Sequence, residues 1–293
     1  MDLVTTEDAE PASIATARQR RELDETEARY MQGPTEPVTS SVLVSNSKYL
    51  NDPYYRDAFC QFALRRHGRD LPETYLIPKM VRALSECRDD AEFARLVEEE
   101  KAKFPAFAAW LAERRHIDYD PAEMGAYKDG TLGAAIRDFM TKSGMEMQFM
   151  MKGMPVRNDL EYMKKRRVSH HDIEHMVTGF GPHELGEQAL SMMNVASAAQ
   201  AFTPKLAQHL SEANTWVTAT SYYRVSLHTP DLMPHMLEAM RQGTVAGQSI
   251  RTPLLMVAWE EYLDWPLQDI CTDLGFQRGP GEDWAWSREA ALT

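Results

Sequence analysis

The sequence is poor in cysteine: Cys60, Cys87 and Cys271 are the only three in 293 residues. An odd number at wide spacing excludes a disulfide framework or a zinc ribbon and points to a reducing compartment. Long apolar runs are missing too, none approaching the ~18 residues of a membrane span. Positive charge is in deficit, with 32 Lys and Arg against 44 Asp and Glu for a net charge of -12. Broad nucleic-acid binding needs clustered cations that displace counterions from phosphates, so that class is excluded. The opening stretch MDLVTTEDAEPASIATARQRRELDE lacks the apolar core of a signal peptide and is too acidic for a transit peptide. Alternating β-branched runs are absent as well, which removes the signal for sheet. The expected location is cytoplasmic, with at most peripheral association with an inner membrane.

What remains is a composition of 43% apolar and 26% charged residues, enough to bury a core. Residues 1–40, rich in Thr, Glu, Ala and Pro, read as a flexible N-terminal arm in which ATARQRRELDETEARYM has helix-forming composition. From Asp52-Pro53 onward, capping residues or prolines repeatedly precede apolar residues at helical spacing, as in DPYYRDAFCQFALRR, DDAEFARLVEEEKA and FPAFAAWLAERR. TYLIPKMVRAL and GTLGAAIRDFM continue the pattern, and five further helical stretches follow between Leu160 and Gly275. The predicted fold is all-α, a single helical domain over 41–276, followed by a tail, 277–293, bearing Trp284 and Trp286. Two basic runs, Lys164-Lys165-Arg166-Arg167 and Arg65, Arg66 and Arg69, read first as solvated helix faces, with contact to an anionic headgroup or phosphate as the alternative. Self-association into a homo-oligomer is expected from the Met-rich and Trp-bearing surfaces.

The chemistry concentrates in His171-Asp172-Ile173-Glu174-His175. Histidines four apart on a helix project both imidazoles from one face, a turn apart, which is ligand spacing. Asp172 lies about 100° round from His171, within reach of the same cluster. Glu187 follows twelve residues after His175, beyond the break Gly179-Phe180-Gly181-Pro182. Helices joined by a short turn pack antiparallel and would return Glu187 beside the histidines. Two imidazoles and two carboxylates suit Zn²⁺, Fe²⁺ or Mn²⁺ on ligand softness alone. His170 and His183 are candidates for supporting the ligands, and Glu174 and Glu184 are expected at the surface. The zinc-protease pattern is not met, because Asp172 stands where a glutamate base is required. No second Glu-x-x-His pair supports a ferritin-like di-iron site. A histidine-aspartate phosphohydrolase stays open through His116, Asp118 and Asp120.

On His171, Asp172, His175 and Glu187, which read His-Asp-x-x-His, eleven residues, then Glu, the sequence resembles a known family, the fourth of the numbered coenzyme Q (ubiquinone) biosynthesis proteins. Gly130-Thr131-Leu132-Gly133, Trp259-Glu260-Glu261 and the stretch from Pro266 to Leu274-Gly275 add to the resemblance, which spans roughly residues 45 to 276. It implies an all-helical fold, zinc or a similar divalent ion on the four motif residues, and catalytic work at that ion. It further implies C1 decarboxylation with hydroxylation of a prenylated, para-hydroxylated aromatic, held in an apolar groove. Peripheral membrane association and contact with other quinone-biosynthesis proteins belong to the same implication. The long arm and the Trp-bearing tail leave room for a paralogue acting as a lyase or decarboxylase on a small soluble phenolic molecule, and because four protein ligands would close the site, a non-catalytic lipid- and quinone-binding scaffold is the other alternative. For a groove the sequence offers Met145, Met147, Phe149, Met150, Met151, Met154, Met192 and Met193, with Tyr222, Tyr223, Arg224 and His228 at a polar end.

Overall fold

The computed structural model describes residues 47–66, 76–116, 119–120, 124–125, 127–144, 147 and 151–281. The N-terminal arm and its helix, Arg69, Asp118, Met145, Phe149, Met150, Trp284 and Trp286 lie outside the described residues. The described chain falls in one compact unit, Ser45–Thr293. Among these residues the fold is all-α, and the only β pairing is two isolated bridges, Thr131 with Pro266 and Phe180 with Gly281.

Among the described residues eleven α-helices follow one another: α1 (Lys48–Asn51), α2 (Pro53–Leu64), α3 (Ile77–Cys87), α4 (Asp90–Lys103), α5 (Pro105–Glu113), α6 (Leu132–Ser143), α7 (Asp159–Thr178), α8 (Glu184–Ala201), α9 (Pro204–His228), α10 (Met233–Ser249) and α11 (Leu267–Leu274). Their starts are written locally. Asp52 accepts from the Tyr55 amide at 2.7 Å ahead of Pro53, and Asp89 accepts from the Glu92 amide at 2.9 Å. Each satisfies an amide that has no partner within the helix. Pro78, Pro105, Pro204 and Pro234 occupy first-turn positions, where the missing N–H costs nothing.

The long helix α8 runs through the middle of the second half, packed on one side by α10 and on another by α9. A Cβ at Gly243 or Gly247 of α10 would fall onto the carbonyl oxygens of Ala189 or Met193 in α8, so glycine there lets two backbones touch. Leu185, Ala189 and Met193 of α8 join Ile173 and Val177 of α7, Met236 and Ala239 of α10 and Trp259 in the main core. A second cluster gathers α4 and α5 around Tyr162 and Met163, and a third packs α2 and α3 about Trp216. Of the described methionines named for a groove, Met147 and Met193 are core residues, because the main cluster closes over them. No helix among the described residues is long and apolar enough to cross a membrane.

The first residues of the expected tail do not hang free. Arg278 donates to the carbonyls of Met176 at 3.0 Å and Val177 at 3.2 Å, and the Gly279 and Gly281 amides reach the carbonyls of Thr178 and Gly179 at 2.7 and 2.6 Å. These are carbonyls a helix end leaves without partners, so residues 278–281 form a strap across the end of α7.

Candidate metal centre

Helix α7 stops at Gly179, whose φ of 69° is the left-handed conformation that glycine adopts freely. Phe180 to His183 then turn the chain, and α8 begins at Glu184. This short turn brings Glu187 back against α7. The Nε2 atoms of His171 and His175 are 3.1 Å apart, and the Glu187 carboxylate stands 3.0 Å from His175 and 3.4 Å from His171. All three ligand atoms lie within 4.8 Å of one another.

Orientation is set from the far side of the ring. His175 Nδ1 donates to the Phe180 carbonyl at 2.6 Å, which leaves the Nε2 lone pair facing Glu187 and His171. Metal-bound histidines commonly have their other nitrogen held in this way. A tetrahedral ion with bonds of about 2.0–2.1 Å has ligand–ligand edges of roughly 3.3 Å, close to the separations seen here. The three residues therefore fit a divalent ion by geometry and by donor chemistry. Asp172 is not one of the trio; it is half-buried on the same helix and acts on His171 through its charge. Three of the four expected groups are gathered, and the fourth stands beside them.

The family profile described as coenzyme Q (ubiquinone) biosynthesis protein Coq4 matches residues 79–280, more than half of the chain and the whole of α7 and α8. The chain belongs to the Coq4 family. Its fold is also similar to a crystal structure of a candidate ubiquinone biosynthesis protein from Nostoc punctiforme, at a TM-score of 0.57 and 23% identity, over 76% of this chain and 94% of that one. Among curated proteins no match is found.

In this Coq4-family chain the cluster sets one carboxylate against two imidazoles, and each side shifts the other's charge. Burial works against a charged His171, but the adjacent Glu187 outweighs it and pushes the imidazole up to about 9. Burial likewise opposes the Glu187 charge, yet the two histidines hold its carboxyl well below the usual range. The cluster opens to solvent on one side, where the His171 side chain is 40% exposed against 4% for His175.

Several residues expected at the surface are not there. Glu174 is wholly buried, accepting from Arg167 Nη1 at 3.1 and 3.2 Å and from Asn194 Nδ2 at 3.1 Å. Its place at the α7–α8 contact, one position before His175, decides this. Glu184 pairs with buried Arg224 at 2.7 Å, and Arg224 also donates to the Phe62 carbonyl, so this arginine ties α8, α9 and α2 together instead of lining a groove. Tyr222 and Tyr223 are exposed, and His228 bonds the Leu64 carbonyl.

The run from Lys164 to Arg167 is no uniform solvated face. Helical phase leaves Lys164 outside and buries Arg166, which pairs with Glu260 at 2.6 Å. His170 faces the same interior. Its Nδ1 bonds the Arg166 carbonyl at 2.8 Å, and burial followed by the Arg166 charge pushes its pKa down to about 4. His116 packs edge-on to His170 instead of joining the metal cluster, and His183 sits at the N-cap of α8. Arg167, Glu174, Asn194 and the Phe180 carbonyl are the parts of the site that spacing did not single out. The one available signal was phase, since Arg167 lies four residues before His171 and Glu174 three after it.

Proposed function

We propose that the chain binds one divalent ion, zinc before iron(II) or manganese(II), through His171, His175 and Glu187, with Asp172 as an exchangeable fourth ligand. On this reading it acts in ubiquinone biosynthesis on a prenylated, para-hydroxylated aromatic precursor at C1. The observation that supports a catalytic centre is the number of groups gathered: three protein ligands with a position left over is the pattern of catalytic zinc, whereas four closes a structural site. When bound, the ion supplies Lewis acidity toward a carboxylate or phenolate oxygen of the substrate. The protein's own residues do the positioning. Phe180 holds the His175 tautomer, Glu187 keeps a negative charge at the centre, and the open His171 side admits the substrate oxygen. Asp172, one residue from a ligand and outside the trio, is the carboxylate that would take that position in the absence of substrate.

Placement of the ligands on two helices either side of one tight turn favours a second reading. There the ion staples α7 to α8, and the chain presents the precursor to other quinone-biosynthesis proteins without turning it over. Purified protein loaded in turn with zinc, iron(II) or manganese(II) and given prenylated and simple phenolic acids separates the two. Product that requires the metal and disappears in Glu187→Ala is the expected result. No product from any of them, together with a polyprenyl lipid retained in native mass spectrometry, would leave the presenting role.

A further inference from the structure

Beside the metal centre lies an arginine whose bonding is lopsided. All three bonds of Arg167 come from one nitrogen: Nη1 donates to both oxygens of Glu174 at 3.1 and 3.2 Å and to Asn194 Oδ1 at 2.8 Å. Among the described residues no partner reaches its Nε or Nη2. The anchors are rigid, because Glu174 and Asn194 are buried and Asn194 Nδ2 is itself shared between Glu174 and the Leu190 carbonyl. The guanidinium is thus clamped at one corner, and the Nε–Nη2 edge carries two parallel N–H groups with no protein acceptor. That edge is the fork that matches a planar carboxylate.

Its position follows from helix phase. Eight residues separate Arg167 from His175, a rotation of about 80° after two full turns, so Arg167, His171 and His175 share one stripe of α7. Arg167 keeps a quarter of its side chain exposed, and it precedes by one turn the most open ligand, His171. We propose that Arg167 is an anion-recognition point next to the metal centre, taking the carboxylate of an aromatic acid through Nε and Nη2. Glu174 and Asn194 are positioning residues that hold the fork in place. Glu174 balances the arginine's net charge, so selection rests on the paired N–H groups. A neutral amide offers that fork one acceptor and one clashing N–H₂.

This inference rests on the metal reading for its location, and its test is built to fail separately. Benzoate and benzamide serve as probes, titrated by NMR against the full chain both zinc-loaded and in chelator. The expected result is benzoate bound about tenfold more tightly than benzamide in either state, the scale of a charge-assisted hydrogen bond. In Arg167→Gln that preference vanishes while zinc content is unchanged, and Arg167→Lys retains only part of it. Because Arg167→Gln leaves Glu174 buried without its cation, Arg167→Gln/Glu174→Gln is measured alongside. Preference retained in either glutamine variant, folded by circular dichroism, would overturn the proposal, as would no preference in the wild type. Absence of bound zinc would overturn the metal reading while the chelator arm still reports on Arg167.

Discussion

Arg166 and Arg167 are neighbours on α7, as are His170 and His171, yet the helix sends the first of each pair inward and the second toward the metal centre. Arg166 and His170 are each 1% exposed and face Glu260, whereas Arg167, a quarter exposed, reaches in to buried Glu174, and His171 meets Glu187 beside open solvent. One imidazole is pushed down to about 4 and the next up to about 9. Identical side chains acquire opposite chemistry from a rotation of about 100° per residue. The inner face fastens α7 to the turn around Trp259–Glu261, and the outer face carries the two histidines that meet Glu187.

The strongest way to break this contrast is on the inner face. Arg166→Ala strands the Glu260 carboxylate, and unfolding in denaturant should show a loss of about 3–5 kcal/mol, whereas Arg166→Met with Glu260→Leu should recover most of it. Next comes the outer face. Zinc at a hundred times its dissociation constant should stabilise the wild type by about 2.7 kcal/mol, read as a rise in Tm. Glu187→Ala or His175→Ala should abolish that rise, and Arg166→Met/Glu260→Leu should keep it.

A smaller effect lies in pH. With zinc chelated, the raised pKa of His171 gives stability that is complete below its ordinary value of 6.5 and is lost as pH climbs through about 9. The depressed pKa of Glu187 gives stability present above its ordinary 4.5 and lost as pH falls below it. The Tm of metal-free protein should therefore decline from pH 6.5 to 9, and Glu187→Gln should flatten that decline; an equal slope in the variant would refute the coupling. Smallest of all is Asp172→Asn, which should change stability by less than about 0.5 kcal/mol and leave zinc bound while altering turnover.

Much of this was legible because it is local. Asp52-Pro53, Asp89 and Gly179 declare helix ends within a few residues, and His171 and His175 declare a shared face by spacing alone. Glu187 could be added because the turn before it is short. Glu174 and Arg167 were not legible in the same way, since their pairing is completed by Asn194, twenty residues beyond Glu174 in the next helix. Glu184 could not be distinguished from a surface glutamate without Arg224, forty residues away. The basic run misled for the same reason: charge pattern does not reveal which member of the run points to Glu260, 94 residues past Arg166.

The strap over the end of α7 ties the centre to the order in which the chain is made. Arg278 closes on the carbonyls of Met176 and Val177 across separations of 102 and 101 residues, next to the turn whose Phe180 carbonyl orients His175. At synthesis rates of about 5–20 residues per second, the motif waits roughly 5–20 seconds between its own emergence and the arrival of its clasp. During that interval His171, His175 and Glu187 are on hand but the turn between them is not yet fastened. The turn that orients His175 is therefore fastened by a segment made about a hundred residues after it, and its final geometry is a late product of synthesis.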